Sequence, residues 1–402
     1  MSPTKQFLLL IAMLIFVTMG IAGGLLNVAW TYMYEPFQVS VGAVGIVLLA
    51  STTGSLVGTM ASGTIIGKFG IGRVILIAMF VAGIGLLGIA FSPLWLIALA
   101  TFFITALGKG VIDAGLNNFV SENYGTTSMN WLHAAWGLGL TIAPFIITFI
   151  LINLEMTWRN GYFFVAGLAF TLSLIILLSL RLWRTTAGDS DEENGNAKRA
   201  TVSEALREPV VMLSLLFFFL YGAVEIGTGQ LVNTLFVTGR GISQEQSSLW
   251  ISFYWGSFTL GRMLIGVIAL KFNDSVLLRT SLVLVTAGAA LLTVNLFPVM
   301  NMMAVILMGS GLAGIFPILI SQTPARTGKY FSAQSIGFQV GFAGMGGSII
   351  PGIVAFLGEQ FSLEFIAYGI LVNAIGVVIV YEMLARRYPV PEREMRRRAI
   401  EA

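Results

Sequence analysis

Long apolar runs alternate along the chain with short polar or turn-rich breaks. The runs fall at about 6–34, 41–67, 71–91, 94–122, 128–153, 160–184, 210–238, 243–270, 275–295, 299–323, 329–358 and 363–387. Each has the roughly 20 residues that a helix needs to cross about 30 Å of hydrocarbon. Strands are not credible at this length, because lipid accepts only helices and closed barrels, which satisfy their backbone groups internally. The pattern predicts an all-α membrane protein of twelve transmembrane helices, with both termini on one side.

The pattern also repeats. At an offset of 203, Gly58, Met60, Gly63, Ile65, Lys68 and Phe69 match Gly261, Met263, Gly266, Ile268, Lys271 and Phe272 without gaps. The same offset pairs Gly24 with Gly227, Thr31 with Thr234, Ser40 with Ser243 and Gly108 with Gly311. Gly137-x-Gly139-x4-Pro144 recurs as Gly344-x-Gly346-x4-Pro351, the offset drifting to 207. Small residues let membrane helices pack closely, and a proline bends a span where neighbours satisfy the freed carbonyl. Two pseudo-symmetric six-helix bundles are therefore expected, 1–184 and 210–402, joined by a cytoplasmic linker at 185–209. Parallel halves of this kind suit a transporter that binds its substrate near the midplane and rocks between access states. Within the linker, Asp189 to Gly195 reads as a solvated stretch, and Thr201-Val-Ser-Glu204 as a capping box opening a short helix.

Composition narrows the class. The chain is 56% hydrophobic and 10% charged, whereas a soluble domain is about a quarter charged. No Cys and a single His remove disulfides, thiolate sites and histidine-cluster metal sites. With no nucleophile–base or metal-ligand cluster, no enzyme, catalytic residue, metal or cofactor is expected. Eighteen Lys and Arg residues fall in the loops and tail on the side of the termini, against Arg159 and Arg240 on the other. The positive-inside rule then makes both termini cytoplasmic, in a cell's inner membrane. Lys5 precedes the first run without a small-residue cleavage site, so that run reads as an uncleaved anchor. The net charge of +3 resides in loops between spans and does not indicate nucleic acid. The expected partners are the bilayer and a small-molecule substrate, with the chain acting as a monomer.

After the second run, Gly63-x3-Gly67-Lys68-Phe69-Gly70-x2-Arg73 resembles the loop signature of the major facilitator superfamily, with Gly67 in place of its aspartate. The eighth span keeps an arginine in Gly261-Arg262-x3-Gly266. Within that superfamily several strings resemble the fucose–galactose–glucose:proton symporters and related sodium–glucose transporters. These are Asp113-Ala-Gly-Leu-Asn117-Asn118, Leu132-His133-x3-Gly137-x-Gly139, Tyr221-Gly-Ala-Val-Glu225 and Phe316-Pro317. The resemblance implies the twelve-helix fold and cation-coupled uptake of a sugar or related polar solute, with a proton favoured over sodium. It also marks Gly63, Lys68, Arg73 and Arg262 as gating or loop-motif residues.

Ionisable groups at bilayer depth are expensive and usually face a cavity or a partner. Lys109, Asp113 and Asn117 step by four and share one helix face. They form either a sealing ion pair or a coupling site, and the coupling reading is preferred. Glu225 has no cation nearby in sequence, and a desolvated carboxyl is suited to carry a proton. Arg262 reads as a tie between loops or helix ends, and His133 as a polar contact near the cytoplasmic end of its span. The candidate sugar ligands are Asn27, Trp30, Thr31, Asn117, His133, Trp136, Tyr221, Gln230, Asn233, Tyr254 and Gln339. Their amides pair with hydroxyls and their aromatic faces suit the apolar side of a pyranose. An efflux antiporter for amphipathic compounds, using the 29 Phe and 17 Met as an adaptable lining, and a flippase for lipid-linked sugars are the competing readings.

Overall fold

The computed structural model describes residues 2–124, 126–186, 202–268 and 272–390. Twelve long helices follow one another: α1 (Pro3–Met33), α2 (Val44–Phe69), α3 (Ile71–Phe91), α4 (Trp95–Asn123), α5 (Thr126–Thr148), α6 (Trp158–Thr186), α7 (Pro209–Thr234), α8 (Gln244–Ile268), α9 (Asp274–Val294), α10 (Pro298–Gly328), α11 (Tyr330–Gln360) and α12 (Phe365–Arg387). Among the described residues eleven of these are long and apolar enough to cross a bilayer. The remaining one, α8, has the length of a span and carries a single charged residue, Arg262, beyond its first turn. Most boundaries lie within a few residues of the apolar runs. The exception is α10, which continues past 323 through Pro324 and the polar Arg326. It stops at Gly328, whose φ of +77° is the left-handed region that glycine enters without strain. Gly70, at φ +79°, makes a break of the same kind between α2 and α3. In the linker, the short helix Val202–Ala205 is present; its capping Thr201, the acidic stretch and the basic tail beyond 390 lie outside the described residues.

The chain forms two compact units. Met1–Asn194 groups with Phe236–Ser252, and Gly195–Leu235 groups with Phe253–Ala402. Inside the first unit α1 packs on α5 and α6, α2 on α4, and α3 on α4 and α6. The second unit repeats this scheme, with α9 on α10 and α12 on both α7 and α9.

Glycines at matching positions explain why the repeat survives in sequence. A Cβ on Gly108 would press on Ala78 and Ala82 of α3; one on Gly311 would press on Ser281 and Val285 of α9. All three pairs of positions are 203 residues apart. Gly85 meets Thr105, and Gly288 meets Met308, at the same offset. In the α1–α5 pair, Gly20 and Gly139 face each other so closely that a side chain on either would overlap the opposite backbone. Gly222 and Gly346 do the same for α7 and α11, against Ala343 and Phe219. The repeated Gly-x-Gly-x4-Pro string is thus a packing device: its second glycine brings two helix backbones into contact, where dispersion supplies the association that hydrophobicity cannot supply in lipid.

Candidate functional site

In the second unit two four-residue steps face each other. Tyr221 and Glu225 lie on one face of α7, and Tyr254, Phe258 and Arg262 on one face of α8. The Tyr254 hydroxyl donates to the Glu225 main-chain carbonyl at 2.8 Å. The Tyr221 hydroxyl donates to the Leu312 carbonyl at 3.4 Å and is within hydrogen-bonding reach of the Glu225 carboxylate. Both tyrosines are buried, whereas Glu225 keeps partial exposure. The Arg262 guanidinium sits 4.2 Å from the Phe258 ring centroid, a cation–π contact. Its Nε is buried without a hydrogen-bond partner, and its charge acts across space on Glu225 and both tyrosines. Arg262, read from the sequence as a tie between loops or helix ends, thus acts electrostatically on Glu225 without forming an ion pair with it. The missed signal was available: 254, 258 and 262 step by four, as do 221 and 225.

Further along α7, Gln230 Oε1 and Thr234 Oγ1 are buried without partners, and Asn233 is fully buried. Gln339 is engaged elsewhere, its amide oxygen accepting from the Thr323 hydroxyl at 2.9 Å.

The first unit holds a second polar set. Lys109 Nζ and Asp113 Oδ2 are 3.3 Å apart, with each side chain 33% exposed, so the ion pair expected from their spacing forms. One turn on, Asn117 Oδ1 is buried and unpartnered. Asn27 on α1 is 0% exposed, and neither its amide nitrogen nor its oxygen has a partner among the described residues. Burying an amide unsatisfied costs about 1–3 kcal/mol per group by mutational measures. Trp30 is committed to structure: its indole N–H donates to the Val41 carbonyl at 2.9 Å, and its ring packs against Trp95 and Tyr34. Thr31 donates to Gln244 Oε1 at 3.4 Å, Gln244 Nε2 donates to Ser248 at 2.9 Å, and Thr148 donates to Ser248 at 2.5 Å. This hydroxyl–amide strap ties the first turns of α8 to α1 and α5, and no periodicity or spacing in the chain points to it. His133 is exposed, edge-on to Phe16 at 6.0 Å. Trp136 is half-buried. Gly63, Lys68 and Arg73 are exposed, and a side chain at Gly63 would meet nothing within 4 Å.

Long apolar helices with a few buried polar groups and ion pairs are the make-up of a polytopic membrane protein. The sequence profile of the Major Facilitator Superfamily matches residues 10–351, and the chain belongs to that family. It is a multi-pass membrane protein and a secondary transporter, not an enzyme. It is similar to the glucose/mannose transporter GlcP of Bacillus subtilis, 23% identical over 381 residues that cover 92% of this chain and 93% of that one. Among solved structures it resembles the nucleoside transporter NupG, with a TM-score of 0.75 at 14% identity, covering 96% and 99% of the two chains. It also resembles a variant of the Escherichia coli fucose:proton symporter FucP, with a TM-score of 0.63 at 17% identity, covering 94% and 98%.

Proposed function

We propose that the chain takes up a sugar or related polyhydroxylated solute through the inner membrane, by alternating access driven by a proton gradient, with Glu225 as the proton carrier. The observation that carries this reading is the cluster on α7 and α8, in which one carboxylate shares its surroundings with two tyrosines and one unpaired cation. In its neutral form the carboxyl engages the Tyr221 hydroxyl. On losing its proton it takes the Arg262 guanidinium, whose buried Nε is otherwise unsatisfied. Exchange of a proton for a cation couples protonation to the packing of α7 on α8. Lys109 and Asp113 form a neutral pair whose partners can be traded for substrate hydroxyls. The buried amides of Asn27, Asn117 and Gln230 each offer paired donor and acceptor groups to a polyol. The name of the GlcP relative supports the sugar class.

The test is radiolabelled D-glucose uptake into proteoliposomes with imposed proton or sodium gradients. Glu225→Gln should lower gradient-driven accumulation tenfold or more and leave sugar exchange measurable. If Glu225→Gln still accumulates sugar on a pH gradient while Asp113→Asn does not, the coupling role passes to Asp113. A sodium gradient alone driving uptake removes the proton reading, and no sugar movement in either direction removes the substrate class.

A further inference from the structure

At the membrane face where α7 begins and α12 ends, the second unit carries an open groove of about 500 Å³. That volume lies within the range of sites that take ligands of drug or lipid size. One wall is α7, from Pro209 through Met212 and Leu216 to Phe219; Phe342 of α11 closes the inner end, and Arg387 and Tyr388 stand at the mouth. Apart from those last two residues the lining is apolar. Met212 and Leu216 are each 47% exposed, so the groove opens outward to the hydrocarbon.

Its dimensions select an occupant. Pro209 to Phe219 is ten helical steps, about 15 Å, which is half the roughly 30 Å hydrocarbon core. Phe342 lies about 18 Å along α11 from Tyr330 by the same rise, so the inner end sits near mid-bilayer on both helices. The groove therefore has the depth of one leaflet. Its mouth falls at the headgroup level, where a tyrosine is at home in the aromatic belt. The neighbouring cations differ in availability. Arg386 lies 3.8 Å from Glu382, which Arg279 already holds at 2.9 Å. Arg387 is exposed and forms no ion pair among the described residues.

We propose that this groove is a binding site for one anionic phospholipid of the leaflet facing the termini. An acyl chain lies along Met212, Leu216 and Phe219 down to Phe342, and the headgroup phosphate meets the Arg387 guanidinium beside Tyr388. A guanidinium recognises phosphate bidentately, and basic pockets at helix ends on this side of a membrane favour anionic headgroups. Carbon chain and charge are thus both matched, and the site is separate from the polar clusters that serve transport.

The full chain, purified in detergent, would be incubated with phosphatidylglycerol or phosphatidylcholine of identical acyl chains, and retained lipid counted by native mass spectrometry. The expected result is phosphatidylglycerol retained about fivefold better, the effect of one basic residue at an anionic lipid surface. Arg387→Gln should remove that preference, and Arg181→Gln, at an exposed basic position on α6, should keep it. Leu216→Trp, which fills the groove, should lower retention of both lipids. Equal retention of the two lipids by the unaltered chain overturns the proposal, as does a preference that survives Arg387→Gln. If removal of residues 391–402 raises retention of both lipids while Arg387→Gln changes nothing, the chain's own end occupies the groove and the proposal falls.

Discussion

If the proposed function holds, the amide of Asn27 serves binding and not folding. It is completely buried with neither polar atom partnered, so replacing it with an isosteric hydrocarbon removes an unmet demand and no contact. Asn27→Leu is expected to stabilise the protein by about 1–3 kcal/mol, read as a rise in the thermal unfolding midpoint in detergent, while uptake of the proposed sugar substrate falls. A lower midpoint would mean that the amide has a structural partner and is no ligand. At this scale the sequence was informative about which residues are polar at depth, and much less about what they meet. The Lys109–Asp113 pair was legible because both partners share one helix. The approach of Arg262 to Glu225 was not, because it depends on how α7 packs on α8, a fact that neither helix's periodicity contains. Trp30 looked like a sugar platform, but its N–H already serves the Val41 carbonyl. Aromatic residues near a membrane interface look alike in sequence whichever role they take.

Among helices, the glycine contacts carry the most information. Gly346 touches the Phe219 backbone so closely that any side chain forces α7 and α11 apart. Gly346→Leu should therefore destabilise by about 1–3 kcal/mol or more through overpacking. Gly63 is also inside a helix but faces open space, so Gly63→Ala should be neutral or gain up to about 1 kcal/mol in helix propensity. Thermal unfolding of the two variants side by side checks the contrast; equal losses would show that composition, not contact, sets the effect. The helices themselves were legible because each span requires an apolar run of fixed length. The end of α10 was not, since residues 324–328 fall between two apolar runs and read as a loop, while the structure continues the helix and lets Gly328 stop it. The polar side chains there are used within the fold: Arg326 donates to Gln322 at 2.8 Å and Gln322 to Asp274 at 3.2 Å.

For the molecule as a whole, the 203-residue repeat reflects a packing scheme carried out twice, with α1 on α5 and α3 on α6 in one unit and their counterparts in the other. The compact units divide within the linker but not there alone, because Phe236–Ser252 belongs with the N-terminal helices and is fastened there by Thr31, Thr148, Gln244 and Ser248. The consequence falls on biosynthesis. As the chain leaves the ribosome, the first six helices can insert once they are made, but their unit stays incomplete until residue 252 has been translated. At roughly 5–20 residues per second that delay is on the order of 3–12 s, a window in which the unfinished unit is open to quality-control proteases. A fragment of residues 1–194 produced alone should accumulate poorly and unfold at a lower temperature than the same fragment co-expressed with 195–402. Equal yield and equal midpoint with and without the second fragment would show that the early helices finish folding without waiting for the later ones.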